Sequence, residues 1–160
     1  MLKFAGIGVA LIVGCVALAG DGPEATVRAQ FAHLQAAIKA GSGEKLLALL
    51  NDKSRADVDR EVKAIQTAHA KPNLKAKVEE LVGLKDAAVT GLKATDLPKL
   101  KHFHKKYHEL PESKIEKVVI SGENATVHYI EPDDDHEKIL FTRQGGEWKI
   151  WLAIPKMKAE

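Results

Sequence analysis

Seven histidines and twenty-two carboxylates give this chain groups that do chemistry, but few of them sit at useful spacing. Three histidines fall in His102-Phe103-His104-Lys105-Lys106-Tyr107-His108. His104 and His108 are four residues apart, which on a helix brings both imidazoles towards one metal ion. A zinc site needs a third and usually a fourth ligand with hydrogen-bonded support behind it, and the sequence marks none. Solvated histidines on the flank of an amphipathic helix explain the pair as well, and no metal is expected. Asp133-Asp134-Asp135 lacks the ligand spacing of a calcium loop and reads as a charged turn. A second couple depends on strand register. Glu116 opposite Tyr129 is the one inward-facing polar pair that the expected sheet provides. A buried carboxylate against a phenol is able to move a proton. No further polar group converges on it, so catalysis is not expected. No glycine-rich phosphate loop, Ser-His-Asp order or CxxC pair occurs, and no cofactor is implied.

The elements that must position these groups are legible. Residues 114–154 read as four short strands joined by tight turns. Gln144-Gly145-Gly146-Glu147 is a two-residue hairpin signal, because paired glycines accept the positive φ of primed turns. Closing it sets Phe141 opposite Ile150 and Ile139 opposite Leu152. Ser121-Gly122-Glu123-Asn124 makes a second turn, setting Val118 opposite Val127 and Ile120 opposite Ala125. Side chains alternate faces with period two, so a one-residue slip would scramble both sets. The connection Pro132-Asp133-Asp134-Asp135-His136 is longer and pins register less firmly.

Everything before the strands reads as helical. Asp21 with Pro23 and Glu24 opens a first helix, whose Val27, Phe31, Leu34 and Ile38 form a core stripe. Gly41-Ser42-Gly43 ends it, and a short helix follows over 44–50. Ser54-Arg55-Ala56-Asp57 reads as the cap of a third helix with Val58, Val62 and Ile65 on its apolar face. A short helix fits 74–82. Asp96, with Pro98 just after it, is expected to start a last helix running to about Leu110. The fold class is therefore α+β, with N-terminal helices packed on a four-stranded antiparallel C-terminal sheet.

Length and composition bound the rest. At 160 residues, 45% hydrophobic and 29% charged, the chain makes one ordinary domain. A formal net charge of +2 gives no global argument for nucleic acid, and no nucleic-acid partner is expected. Residues 1–19 read as an export signal, with Lys3 before an apolar run too short for a comfortable span. The run ends in two competing processing signals. Ile12-Val13-Gly14-Cys15 resembles a lipobox, which makes Cys15 a lipidation site and the membrane a partner through the lipid. Ala17-Leu18-Ala19 fits ordinary signal-peptidase cleavage. Residues 20–160 form the expected domain, either tethered to a bacterial envelope or free in the periplasm or medium.

A helix ending in Ala40-Gly41-Ser42-Gly43-Glu44, then Leu46-Leu47-Ala48-Leu49-Leu50, then a sheet closing on Gly145-Gly146-Glu147-Trp148-Lys149-Ile150, resembles the nuclear-transport-factor-2-like superfamily. Small bacterial lipoproteins of that superfamily are the nearer likeness. The resemblance implies a cone-like roll in which a sheet wraps a long helix around an apolar pocket. Phe31, Phe103, Tyr107, Tyr129, Phe141 and Trp148 would line that pocket. The chain departs from the family pattern in its helical middle, where strands usually lie.

The resemblance admits two functions. One is a non-catalytic domain that binds a small apolar molecule or assembles with itself or a partner. The other is a small isomerase or hydrolyase using Tyr129 with Glu116. The sheet's far face bears on the choice. Ile130, Leu140 and Trp151 all point away from the core, as do Ile115 and Val119, with Lys117, His128, Leu140 and Trp151 in one row across the strands. A face left in water normally alternates to polar residues. This one is expected to be covered, by the helical segment 72–83 or by a second copy in a homodimer.

Overall fold

Val27, Phe31 and Leu34 recur every three or four residues. In the computed structural model, which describes residues 22–158, they lie buried along one side of α1 (Pro23–Lys39). The expected signal segment, with Cys15, lies outside the described residues, as does Asp21. The N-cap of α1 is Gly22, with Pro23 in the first turn. The chain turns through Gly41 at φ 61° into α2 (Gly43–Leu49).

The third helix, α3 (Asp52–His69), begins earlier than its Ser-x-x-Asp signal suggests. Asn51 is the cap, and its side-chain oxygen accepts the Ser54 N–H at 2.8 Å. Ser54 is instead fully buried. Its hydroxyl accepts the Leu152 N–H at 2.9 Å and donates to the Leu152 carbonyl at 3.2 Å, tying the helix to the end of the sheet. Two short helices follow, α4 (Lys75–Val82), closed by left-handed Gly83, and α5 (Asp86–Thr90). The single helix expected from Asp96 is broken in two. A 3₁₀ turn (Ala94–Lys99) holds Asp96 inside it, accepting the Lys93 N–H at 3.0 Å. Leu100 then takes extended backbone before α6 (Lys101–Tyr107). Pro98 has no N–H to continue a helix, and the bend lets both Leu97 and Leu100 be buried. A second 3₁₀ turn (Leu110–Glu112) leads into the sheet.

The strands β1 (Lys114–Ser121), β2 (Asn124–Ile130), β3 (His136–Gln144) and β4 (Glu147–Trp151) form an antiparallel sheet in the order β1-β2-β3-β4. Gly122, Gly145 and Gly146 all have positive φ at the two tight turns. Phe141 pairs with Ile150, Val118 with Val127 and Ile120 with Ala125, as the turns require. The fold is α+β, with the helices packed on this sheet.

Two registers differ from expectation. A β-bulge at Glu116 shifts β1, so Tyr129 pairs with Ile115. Ile115 therefore turns towards the core rather than away from it. Across β2 and β3, Leu140 pairs with Thr126 and His128 with Lys138, two residues from the expected row. The five-residue connection before β3 carries no paired glycines to pin the register, and Asp134 takes the positive φ (68°) itself.

Ala125, Val127, Tyr129, Ile139, Phe141, Trp148 and Ile150 form the buried inner face. Helix α1 lies against it, touching β1, β2 and β4. Ile120 points to the same side but lies at the turn end of β1 and stays 37% exposed. Leu50 bridges to Ile150 and covers the β4 edge.

Candidate functional site

The inward aromatic residues expected to line a cone pocket are packed in the buried core. Phe31, Phe103, Tyr107, Tyr129, Phe141 and Trp148 all belong to one buried cluster. Phe31 packs against Tyr129 with ring centroids 5.3 Å apart, and Phe103 against Tyr107 at 4.9 Å. The cleft that reaches Tyr107 and Tyr129 holds about 170 Å³, below the range of about 300–1,000 Å³ usual for small-molecule sites.

Tyr129 and Glu116 do not meet as a pair. The bulge turns Glu116 to the outer face, where its carboxylate lies 3.5 Å from His136 Nδ1 on the exposed surface. Tyr129 has Glu137 opposite it on β3, and both phenols share their cleft with Glu131 and Glu137. Burial, more than these carboxylates, pushes the Tyr129 phenol well up, and burial does the same to Tyr107. Both stay protonated at neutral pH. Tyr107 donates its hydroxyl to the Ala153 carbonyl, a role in holding the chain after β4.

Sequence reasoning missed the acidic rim of this cleft, because it assembles from a helix end, a strand end and a turn. Glu131 is held above the usual carboxylate range, first by burial and then by Glu109, Glu137, Asp133 and Asp135. A carboxyl raised in the folded state favours folding while protonated and loses that advantage as pH rises through its folded value. Glu131→Gln should therefore be more stable than wild type at pH 7. Its advantage should fade below about pH 4, where the unfolded-state carboxylate is protonated too. Denaturant unfolding at the two pH values checks this, and an advantage independent of pH would contradict it.

His104 and His108 stack, with centroids 5.9 Å apart. His108 Nδ1 lies 3.1 Å from the Lys105 carbonyl oxygen, and Nε2 lies 3.2 Å from the Glu109 carboxylate. Neither histidine belongs to a three-ligand group among the described residues.

A roomier concavity lies on the other side of the sheet. A groove of about 500 Å³ is lined by Thr126, Leu140, Thr142 and Trp151 of the outer face, with Asn51 and Lys53 reaching over from the start of α3. The row Val119, Thr126, Leu140 and Trp151 crosses all four strands and carries no charge. Val119 is 47% exposed, and Ile130, Leu140 and Trp151 are half-buried. Helix α4, the segment expected to cover this face, packs on α3 and α6 instead. The Lys53 ammonium sits 5.1 Å from the Trp151 ring centroid. The Thr142 hydroxyl oxygen is buried at this groove without a hydrogen-bond partner. Leu140 and Trp151 were readable from alternation, whereas Asn51 and Lys53 arrive through helix packing that no local signal announces. Comparison with protein-family models, with curated proteins and with solved structures finds no match.

Proposed function

We propose that this chain is a non-catalytic assembly domain that works through the outer face of its sheet, joined to a second copy of itself. One observation carries this reading. The interior is filled with aromatic side chains, while an uncharged, partly apolar row is left open on the outside. Apolar surface of this kind on a monomer marks an interaction site more often than chance exposure does. The row is flanked on one side by the basic residues Lys117, His128 and Lys138. On the other side lie Ser121, Asn124, Thr142 and Lys149. A two-fold axis along the row sets the basic flank of one copy against the mostly neutral flank of the other, so Lys117, His128 and Lys138 do not face their own counterparts. The central tryptophan is the type of side chain that anchors such contacts.

The helix-on-sheet arrangement supports a divergent relation to the nuclear-transport-factor-2-like superfamily, and the helical middle departs from it. In this reading the domain is exported and held at the envelope by a lipid on Cys15. Among the described residues, no helix is long and apolar enough to cross a membrane. The isomerase or hydrolyase alternative loses its support with the separation of Glu116 from Tyr129.

Iodide quenching tests the reading in Trp148→Phe protein, where Trp151 is the one remaining tryptophan. Emission should be shielded at tens of micromolar and quenched on dilution. Equal quenching at both concentrations would mean an open face. Shielding that ignores dilution but disappears after unfolding and refolding would point to a bound small apolar molecule.

A further inference from the structure

Far from the sheet's outer face, three side chains from three helices converge. His69 lies in the last turn of α3, Glu79 in α4 and Asp86 in the first turn of α5. His69 Nε2 is 3.2 Å from Glu79 Oε1 and 3.7 Å from Asp86 Oδ1, and all three donor atoms lie within 4.8 Å of one another. We propose that His69, Glu79 and Asp86 form a binding site for a divalent transition metal of the zinc class.

Geometry supplies the first argument. Zinc binds imidazole nitrogen and carboxylate oxygen at about 2.0–2.1 Å, so adjacent ligand atoms of a regular tetrahedron stand about 3.3–3.4 Å apart. The two distances from Nε2 bracket that value. The third pair of donor atoms, on Glu79 and Asp86, also lies within 4.8 Å, so the three approach one face of a tetrahedron.

Hydrogen bonding supplies the second. A ring N–H donates along one direction, so Nε2 serves one of the two carboxylate oxygens well and not both. A cation at the centre serves all three atoms at once. The donor set of one imidazole and two carboxylates suits zinc, cobalt or manganese better than soft or purely hard ions.

Access supplies the third. His69 is 6% exposed, while Asp86 is 64% exposed, which leaves a side open for entry and for a water as fourth ligand. Two lysines attend the carboxylates. Lys75 Nζ is 2.9 Å from Asp86 Oδ1, and Lys85 Nζ is 3.6 Å from Glu79 Oε2. Both lysines reach solvent, so a divalent ion displaces them without burying an unpaired charge. The metal would fasten the short helices α4 and α5 to the long helix α3.

The competing account is a plain ion-pair network, and the lysine separates the two. In a network Lys75 helps hold the cluster together, whereas at a metal site it competes with the ion. Calorimetry on the full chain should find one zinc per chain, and cobalt should give the intense visible absorption of a four-coordinate site. Asp86→Asn should weaken zinc at least about tenfold and His69→Ala about a hundredfold. Lys75→Ala should tighten it several-fold. Asp86 is on the surface, so its variant decides the matter if His69→Ala fails to fold. Absence of saturable zinc or cobalt binding overturns the proposal. So does binding that Lys75→Ala weakens and Asp86→Asn leaves unchanged. Binding lost in His104→Ala and kept in Asp86→Asn overturns it as well, by moving the metal to the His104 and His108 pair.

Discussion

Gly43→Ala should destabilise the protein by about 3 kcal/mol or more, at the upper end of what overpacking costs. A Cβ on Gly43 would stand 1.8 Å from the Thr95 carbonyl oxygen and 2.4 Å from its carbon. Both are backbone atoms, so no rotamer change relieves the clash. Either α2 or the 3₁₀ turn Ala94–Lys99 must move, and each is packed against the core through Leu46 and Leu97. Gly41→Ala is the informative control. Gly41 has open space around its missing Cβ but takes a φ of 61°, so alanine there costs about 1–2 kcal/mol of left-handed strain. Denaturant melts of the two variants should rank them in that order. A loss below 1 kcal/mol at Gly43 would mean that the two segments do not touch.

Phe141→Ala should cost about 3–5 kcal/mol, from lost transfer energy plus the cavity left behind. Phe141 is fully buried on an interior strand, with Ala125 on one side and Ile150 on the other. Total stability of such a domain is about 5–15 kcal/mol, so the loss is a large part of it. Urea unfolding measures the loss. A change under 1 kcal/mol would place Phe141 on the wrong face of the sheet.

These two positions show what was readable in the chain and what was not. Phe141 was legible because Gly145-Gly146 pins the hairpin and alternation then assigns every face. Gly41 and Gly43 look alike in sequence. One is needed for its φ and the other for a close backbone approach, and the second reason involves a residue 52 positions away. The bulge at Glu116 was equally silent, since it inserts one residue without a glycine or proline to announce it. That single residue separated Glu116 from Tyr129 and removed the one proton-transfer pair that alternation had offered. Asn51 outcompeted Ser54 as a cap because Ser54 was needed to receive Leu152, a tertiary demand that overrides a local signal. Helices were legible where apolar residues repeat over several turns, as in α1 and α3, and least so near Pro98, where the repeat breaks. His69, Glu79 and Asp86 are spaced by ten and seven residues in three separate helices, which matches no local motif. Only packing brings them together.

The outer face carries the central claim, and the hydrodynamic mass of the chain from residue 20 onward tests it most directly. Light scattering at tens of micromolar should give twice the chain mass for wild type. Trp151→Glu should give the mass of one chain, with circular dichroism and unfolding midpoint close to wild type, because Trp151 is only half-buried and lies outside the core cluster. A wild type that is monomeric at those concentrations contradicts the account, and so does a Trp151→Glu protein that keeps the dimer mass.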